Sequence, residues 1–435
     1  MEKRTEIVAG RRERRRSVRG RRLVVGVQLP KLAFLAVLGP GLVSGFADND
    51  AGGITTYSVV GAQFGYALLW VVSASMVALF VTQEVGARLG LATGRGLLDL
   101  VREGFGIRWA ALAIGTMLFA NLGTTLAEFA GIGAALSLFG VPVPVSVVVS
   151  VLVVGVLLSR AGFLRVQYVF LAVGAGVSVS YVVSAILARP DWGKSARYLV
   201  APHGQVTSAY LLAIVGTVGT TITPWGQAFI QSYCADKRLG PEHLRTSRFD
   251  VALGSFLTNT IAAFIVIAAA ATLWAHGERS IPDAAAAAKA LGPLAGHAAE
   301  TVFALGLLGA AFLGLGVVPL TSSYATTEAL GLERGLDLRP RQAPAFYGLL
   351  AFFLGAAAVL VLIPGLPLIR VMFLAQVVNG LLLPVILVFV MLLSRRRRLL
   401  GDLTSGPVVS AAGWFVTLVV GAMSIALVVT YVVPL

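Results

Sequence analysis

Charged residues are scarce in this chain. Only 12% of its 435 residues are Asp, Glu, Lys or Arg, whereas 57% are hydrophobic and the mean hydropathy is +0.87. So little charge cannot cover the surface of a water-soluble domain of this length, so we predict a polytopic membrane protein. The strict alternation of apolar and polar residues that a transmembrane barrel requires is also missing, so the membrane spans are predicted to be helical.

Residues that build catalytic and redox centres are equally rare. A single cysteine, Cys234, excludes a disulfide framework and a thiolate metal site. The four histidines all lie in predicted loops or at span ends, so no imidazole cluster is expected within the membrane. There is no Walker-type loop, CxxC or HExxH pattern. These absences argue against an ATPase, a redox enzyme and a membrane protease, and we predict a protein that is not an enzyme and has no cofactor.

The rest of the sequence consists largely of long apolar runs, and a membrane-spanning helix needs about 20 apolar residues. Eleven segments qualify: 32–60, 67–90, 109–136, 142–159, 165–188, 208–234, 250–274, 297–328, 344–363, 367–393 and 408–434. The basic clusters at 11–22, 236–248, 333–342 and 395–398 would then all lie on one side, as cytoplasmic loops do. We therefore predict a protein of the cell membrane with a cytoplasmic N-terminus and an extracellular C-terminus.

The formal net charge of +14 includes the run RRERRRSVRGRR at 11–22. Basic residues before a first span usually set orientation or contact anionic lipid, so we predict contact with the lipid bilayer and no nucleic-acid partner. Residues 1–30 are expected to form a disordered, basic cytoplasmic tail.

Helix-breaking residues interrupt two predicted spans. The first span is interrupted at ADNDAGG (47–53) and the sixth at GTVGTTITPWGQ (216–227). Broken helices at corresponding positions of two halves indicate inverted repeats with a binding site at the membrane midplane. We predict an all-α fold with discontinuous helices 1 and 6. Its parts are a first five-helix repeat at 31–190, a second, inverted one at 205–393, and an eleventh helix at 408–435.

The two interruptions carry the strongest candidate ligands. Asp48 and Asp50 lie in the first, and an ionisable group at membrane depth is by default functional. Non-helical backbone there must be buried in protein or line a cavity, and its carbonyl oxygens beside a carboxylate suit hard cations. In the sixth span, Pro224 cannot donate an amide hydrogen and frees a carbonyl near Thr220. Further neutral oxygens are offered by Thr221, Thr223 and Gln227.

Polar residues in other spans allow more than one interpretation. Glu128, in an otherwise uncharged third span, is a ligand, a proton carrier or a polar contact between helices. Gln376 and Asn379 in the tenth span either join helices by hydrogen bonds or contribute to the site. Glu84 and Arg88, near the end of the second span, are expected to anchor the structure.

These segments together resemble the Nramp family of divalent metal transporters. The resemblance covers spans one to ten and implies the inverted-repeat fold of the sodium-coupled leucine transporter type, with alternating access and, we expect, a monomer. It rests on GPGLVSG (39–45), GAQFGYALLW (61–70), ARLGLATGRGL (87–97), LAEFAG (126–131), ARPDW (188–192), the sixth-span proline and QVVNGLLLP (376–384).

The chain departs from the family pattern in the first span. The family's Asp-Pro-Gly-Asn falls on residues 50–53, so Asp50 retains the acid whereas Gly53 replaces the Asn ligand. Asp48 or Asn49 is expected to supply oxygens instead. In the sixth span, the family's pattern Ala-x-x-Met-Pro-His corresponds to residues 220–225.

There, Thr223 replaces the soft methionine thioether, which favours transition ions over Mg²⁺ and Ca²⁺. A wider pocket of oxygen ligands is expected. This resembles the branch of Nramp-related magnesium transporters, which carry Mg²⁺ and Mn²⁺.

Proton coupling in the family runs through acids, a His and Arg residues. Here Trp225 stands at the His position, Thr125 at a third-span Asp position, and the ninth span has no Arg, which leaves only Glu128. We therefore predict transport driven by the membrane potential without proton coupling.

The predicted function is import of Mg²⁺, and less selectively Mn²⁺, as a partly hydrated ion. The expected ligands, direct or through water, are Asp50, Asp48 or Asn49, Gly53, Thr220, Thr223, Gln227 and Gln376. One alternative is a proton-coupled Mn²⁺/Fe²⁺ transporter of the ordinary Nramp type. Others are a sodium-coupled amino-acid carrier, which the carboxylates disfavour, and a channel.

Overall fold

The computed structural model describes residues 39–160, 176, 179–292, 299–336 and 338–432, and the regular secondary structure in these residues is helical. The tail at 1–30 and the first part of the predicted fifth span lie outside them. The α-helices are α1 Pro40–Ala47, α2 Ala51–Phe64, α3 Leu69–Thr93, α4 Leu97–Phe105, α5 Ile107–Ser137, α6 Val143–Arg160, α7 Trp192–Val200, α8 Ser208–Thr221, α9 Pro224–Asp236, α10 Leu244–Thr272, α11 Ala284–Ala288, α12 Ala299–Leu330, α13 Pro344–Val361, α14 Leu368–Ser394, α15 Arg397–Leu400 and α16 Pro407–Val432.

Seven continuous helices among the described residues are long and apolar enough to cross a bilayer: α3, α5, α10 with its flanking turns, α12, α13, α14 and α16. The apolar part of α6, Val143–Leu157, is shorter. The first and sixth predicted spans are each divided into two short helices, so neither forms a continuous span. A helical, multi-pass architecture is therefore observed, while the count of eleven spans stays a prediction.

Both predicted interruptions are present. α1 ends at Ala47 and α2 begins at Ala51, whereas α8 ends at Thr221 and α9 begins at Pro224. Pro224 occupies the first turn of α9, where a missing amide hydrogen costs nothing. The second break is shorter than the 216–227 stretch that the sequence indicated, because the first two glycines of that stretch lie within α8.

The two glycines within α8, Gly216 and Gly219, allow α8 to pack closely against α14. A Cβ atom on Gly219 would lie 2.1 Å from the Gln376 carbonyl oxygen and 2.3 Å from the Gly380 nitrogen. In turn, a Cβ atom on Gly380 would lie 2.3 Å from the Val215 carbonyl oxygen. Small residues allow membrane helices to approach to backbone contact. This contact brings the second break against the helix that carries Gln376.

The start of α1 is held by α10. The Asp250 carboxylate accepts hydrogen bonds from the amides of Gly39, at 3.0 Å, and Gly41, at 2.6 Å. The first amides of a helix have no partner within the helix and carry partial positive charge, so a carboxylate there is stabilising. Asp250 was not singled out by sequence analysis, because its partners lie more than 200 residues away.

Replacing Asp250 by Ala is expected to lower the free energy of unfolding by about 3 kcal/mol, because two charge-assisted hydrogen bonds are lost from a buried helix end. The melting temperature of the purified protein in detergent measures this. Asp402→Ala, at an exposed acid, is the control. Equal melting temperatures for the two variants would contradict the assignment.

An ion-paired group ties α3 to α10. The Glu84 carboxylate accepts hydrogen bonds from Nε of Arg88, at 2.8 Å, and Nε of Arg248, at 2.6 Å. Arg88 also donates to the Leu403 carbonyl at 3.1 Å, beyond α15. These contacts agree with the anchoring role predicted for Glu84 and Arg88.

Candidate metal site at the two helix breaks

Four helix ends adjoin the breaks. α1 and α8 end there, so carbonyl oxygens of their last turns have no amide partner within the helix. α2 and α9 begin there, and side chains cap them. Asp50 accepts a hydrogen bond from the Gly53 amide at 2.7 Å, and Thr223 accepts one from the Gly226 amide at 3.1 Å. The two capping residues occupy matching places in the two breaks, each at the start of the helix that follows the break.

The two breaks lie against each other. A Cβ atom on Gly53 would lie 2.6 Å from the Asp48 carbonyl oxygen and 3.2 Å from the Thr220 hydroxyl. One turn beyond Gly53 on α2, the Tyr57 hydroxyl lies 2.8 Å from the hydroxyl of Thr221, the last residue of α8. Oxygen atoms from both broken helices therefore converge on one small volume.

Three buried carboxyl groups belong to this region. Asp48 and Asp50 are each 1% exposed and Glu128 is fully buried. Glu128 accepts a hydrogen bond from the Ala51 amide at 3.2 Å, and its carboxyl group faces Asp50. In the described part of the chain, neither oxygen of Asp48 has a hydrogen-bond partner, although the Thr223 hydroxyl faces them.

No ion pair joins these carboxyl groups to a Lys or Arg within the ranges that the structure describes. The basic partners seen there belong to other acids: Glu84, Asp99, Glu103, Glu242, Glu278 and Glu328. A buried carboxylate without a partner is costly, and a bound cation is one way to offset that cost. The site is therefore suited to a positively charged substrate.

Most of the available ligands are neutral. Among the described residues, no group of three or more His, Cys, Asp or Glu side chains is arranged to hold a metal ion. Buried oxygen atoms without a hydrogen-bond partner nevertheless occur on Asn49, Thr220 and Gln227. One or two carboxylates with neutral oxygens and retained water is the ligand set that Mg²⁺ usually takes.

Gln376 reaches the first break from α14. A Cβ atom on Gly52 would lie 1.9 Å from the Gln376 amide nitrogen. The Gln376 amide oxygen accepts a hydrogen bond from Asn379 at 2.8 Å, and Asn379 also donates to the Thr124 hydroxyl at 2.8 Å. Gln376 thus presents its NH₂ group to the break. If the side-chain amides of Gln376 and Asn379 were both rotated by a half-turn, Gln376 would present its oxygen to the break. The Thr124 hydroxyl could then donate to the Asn379 oxygen.

Two other predicted ligands are anchored by their nitrogen atoms. Asn49 donates to the Thr258 hydroxyl of α10 at 2.8 Å. Gln227 donates to the Thr82 hydroxyl of α3 at 3.3 Å. In each amide the nitrogen is therefore bonded, whereas the oxygen has no hydrogen-bond partner among the described residues.

Comparison with known proteins shows the family of this chain. The profile of the family described as Natural resistance-associated macrophage protein-like, or Nramp, matches residues 41–430. The chain belongs to the Nramp family. It is 30% identical over 409 residues to the divalent metal cation transporter MntH of Deinococcus radiodurans, which covers 90% of this chain and 88% of that protein. Membership confirms the prediction of a membrane metal transporter that is not an enzyme.

Solved structures share the fold. A manganese transporter of Eremococcus coleocola, in complex with an aromatic bis-isothiourea compound, superimposes with a TM-score of 0.77 at 20% identity, covering 94% of this chain and 90% of that one. MhsT in complex with L-phenylalanine gives a TM-score of 0.57 at 15% identity, with 90% and 98% covered. These likenesses confirm the predicted all-helical transporter fold.

Two positions that the family resemblance assigns to a proton path carry no titratable group here. Trp225 is fully buried and packs edge-to-face on Phe229, with 6.1 Å between ring centroids. The Thr125 hydroxyl donates to the Asn121 carbonyl of its own helix at 2.7 Å, so it does not reach the break. Of the acids and bases that sequence analysis considered for this path, Glu128 is the one adjoining the site.

The asparagine of the Nramp pattern is absent from this chain, but its absence leaves little empty space in the site. Its position is Gly53, where the Asp48 carbonyl and the Thr220 hydroxyl already adjoin the backbone. An asparagine at this position could not be added unless the Asp48 backbone moved. The expected widening is therefore not observed at Gly53, and backbone and hydroxyl oxygens fill the place instead.

Cavities on the two sides of the site differ in size. On the side opposite the basic loops, a cavity of about 520 Å³ is lined by α2, α8, the segment before α11 and the start of α14, including Arg370 and Phe373. Phe373 lies one turn before Gln376. On the other side, a cavity of about 20 Å³ lies between α9 and α12, where Tyr324 donates to Asp236 at 3.0 Å. Neither cavity is lined by Asp48, Asp50 or the other predicted ligands, which are buried.

Proposed function

We propose that this Nramp protein imports Mg²⁺, and less selectively Mn²⁺, by alternating access without proton coupling. The observation that carries the proposal is the pair of buried carboxylates, Asp48 and Asp50, where the two broken helices meet. Asp48 has no hydrogen-bond partner among the described residues. The free carbonyls at the ends of α1 and α8 add negative potential, because helix C-termini carry partial negative charge.

Preference for Mg²⁺ is supported by the chemistry of the ligands. The proposed ligands Asp48, Asp50, Thr220, Thr223 and Gln227 offer oxygen only. Hard cations such as Mg²⁺ take oxygen, and Mg²⁺ usually keeps several of its waters. A thioether at position 223 would favour softer ions.

The nearby α14 does carry a sulfur atom, on Met372. It accepts a hydrogen bond from the Thr55 hydroxyl at 3.4 Å, one turn beyond the first break. Because this sulfur already has a partner, we do not include it among the proposed ligands. The proposed ion is therefore held by oxygen alone, partly through its own water.

Uncoupled transport is supported by the residues at the positions compared with the Nramp proton path, of which Glu128 alone is titratable. Trp225 and Thr125 cannot carry a proton at physiological pH, and α13 contains no charged residue. The membrane potential alone is sufficient as a driving force. At a potential of roughly 100 mV, inside negative, a divalent ion gains about 4.6 kcal/mol on entry.

The proposal also includes the orientation of the chain in the membrane and its oligomeric state. The N-terminus is placed in the cytoplasm and the C-terminus outside, because the basic loops would then follow the positive-inside rule. A monomer is the transporting unit, because both breaks and all the proposed ligands belong to one chain.

Flux measurements in proteoliposomes test the function. Influx of Mg²⁺ and of Mn²⁺ is followed under an imposed inside-negative potential, together with a dye for internal pH. We expect saturable influx of both ions that increases with the potential, with no change of internal pH. Thr223→Met is expected to shift the preference toward Mn²⁺, because it restores the soft ligand.

The alternative is a proton-coupled Mn²⁺/Fe²⁺ transporter; of the similar proteins, one is named a divalent metal cation transporter and another a manganese transporter. It requires internal acidification together with Mn²⁺ uptake, and exclusion of Mg²⁺ at millimolar concentration. Those two results would replace the proposal. Glu128→Gln would then abolish the pH signal, because Glu128 is the acid that faces Asp50.

A further inference from the structure

A second cavity lies away from the breaks, where α4 meets the arginine run that follows α14. Its volume is about 480 Å³. Its lining comprises Leu100, Glu103 and Gly104 of α4, and Arg396, Arg397, Arg398 and Leu399. The transport mechanism uses none of these residues.

Three arginines line this cavity, and one of them is held in place by α4. Arg396 donates to the Gly104 carbonyl at 2.9 Å, and its guanidinium lies 4.3 Å from the centre of the Phe105 ring. Arg397 and Arg398 are exposed, and neither forms an ion pair with an acid in the described ranges. Two guanidinium groups are therefore available to an anion.

The acid in this cavity does not cancel that charge. The Glu103 carboxylate pairs with Arg95, which also donates to Asp99 at 2.7 Å. Both acids of α4 are therefore paired with Arg95, which precedes the helix. The arginines that follow α14 remain in excess within the cavity.

An apolar surface adjoins the cavity. Phe105 and Trp109 both pack on Phe389, with 5.5 Å and 6.2 Å between ring centroids. Trp109 is 54% exposed, and Leu112 on the next turn and Leu392 on α14 are exposed as well. Tryptophan is enriched where spanning helices leave the bilayer, so this surface is suited to lipid at the membrane interface.

We propose that this cavity binds the headgroup of an anionic phospholipid. The phosphate would lie between Arg397 and Arg398, since guanidinium groups bind phosphate with parallel hydrogen bonds. The acyl chains would lie along Trp109, Leu112 and Leu392. Basic pockets at the ends of spanning helices recognise anionic headgroups in this way. The lipid would connect α4 to the end of α14, the helix that also carries Gln376.

Lipid titration of the delipidated protein in detergent tests the proposal. Phosphatidylglycerol is expected to raise the melting temperature by several degrees, whereas phosphatidylcholine has little effect. Arg397→Gln/Arg398→Gln should raise the phosphatidylglycerol concentration needed for half-maximal stabilisation roughly 30-fold, because each arginine contributes about a factor of five to the affinity. Arg245→Gln/Arg341→Gln removes the same charge from exposed positions elsewhere and should respond as the native protein does.

Three results would overturn the proposal. The first is an unchanged phosphatidylglycerol response in the Arg397/Arg398 variant. The second is equal weakening in the Arg245/Arg341 variant, which would indicate a general charge effect. The third is the same stabilisation by inorganic phosphate, which would indicate a free anion as the ligand. Should the double variant unfold, native mass spectrometry of the native protein replaces it, and phosphatidylglycerol occupancy equal to that of phosphatidylcholine would refute the site.

Discussion

Asp50→Asn is expected to reduce Mg²⁺ and Mn²⁺ uptake by roughly 100-fold, because it removes a buried charge worth about 3 kcal/mol to the bound ion. The substitution keeps size and shape. Asparagine also caps helices well, so it can still accept the Gly53 amide at the start of α2. The fold should therefore survive, and the loss should reflect binding of the ion. Initial influx rates in proteoliposomes at matched protein content measure it.

Asp48→Asn is the companion experiment. Its carboxylate has no hydrogen-bond partner in the described chain, whereas Asp50 also caps a helix. A loss of uptake at position 48 would therefore report a direct role in holding the ion. We expect a reduction at least as large as at position 50. Asp402→Asn, on an exposed acid, should leave uptake unchanged, and undiminished Mg²⁺ flux in both site variants would refute the assignment.

The two breaks could be predicted because their causes are local in the sequence. Asp48, Asp50 and the glycines after them interrupt an apolar run, and Pro224 does so in the sixth span. Lipid makes such interruptions costly, so they must serve a site or a packing contact. Spacing alone then indicates two related halves.

Contacts between distant residues could not be predicted in this way. Asp250 caps α1 from α10, and Asn379 fixes the Gln376 amide through Thr124; these pairs are more than 200 residues apart in sequence. Helical periodicity gives the face of a residue but not its partner on another helix. It also cannot decide whether a threonine hydroxyl, as on Thr125, bonds its own backbone or a neighbouring group.

The glycines of the sixth span show how one residue type can serve two roles. The predicted interruption at 216–227 contains Gly216, Gly219 and Gly226, yet the first two lie within α8. Gly219 is required by the backbone contact with α14, and Gly226 by the capping of α9. Only the relative position of α8 and α14 distinguishes close packing from unwinding.

Gly219→Ala is accordingly expected to reduce uptake at least tenfold and to lower the melting temperature by several degrees. The added methyl group meets the Gln376 carbonyl oxygen and the Gly380 amide nitrogen, which are backbone atoms that cannot rotate away. Overpacking of this kind costs about 1–3 kcal/mol. Because α8 must move from α14 to admit the methyl group, Thr220 should also separate from Gln376 and from the first break.

Gly115→Ala provides the matched control. Gly115 also lies within a spanning helix, α5, but a Cβ atom there would meet no other atom within 4 Å. Alanine at that position should leave both uptake and melting temperature unchanged or slightly raise the latter, since alanine favours helix. Ion affinity, measured separately from flux, should fall in Gly219→Ala because the ligands of the two breaks are separated. If Gly219→Ala matched Gly115→Ala in stability, flux and affinity, then α8 and α14 would not be in backbone contact when the ion is bound.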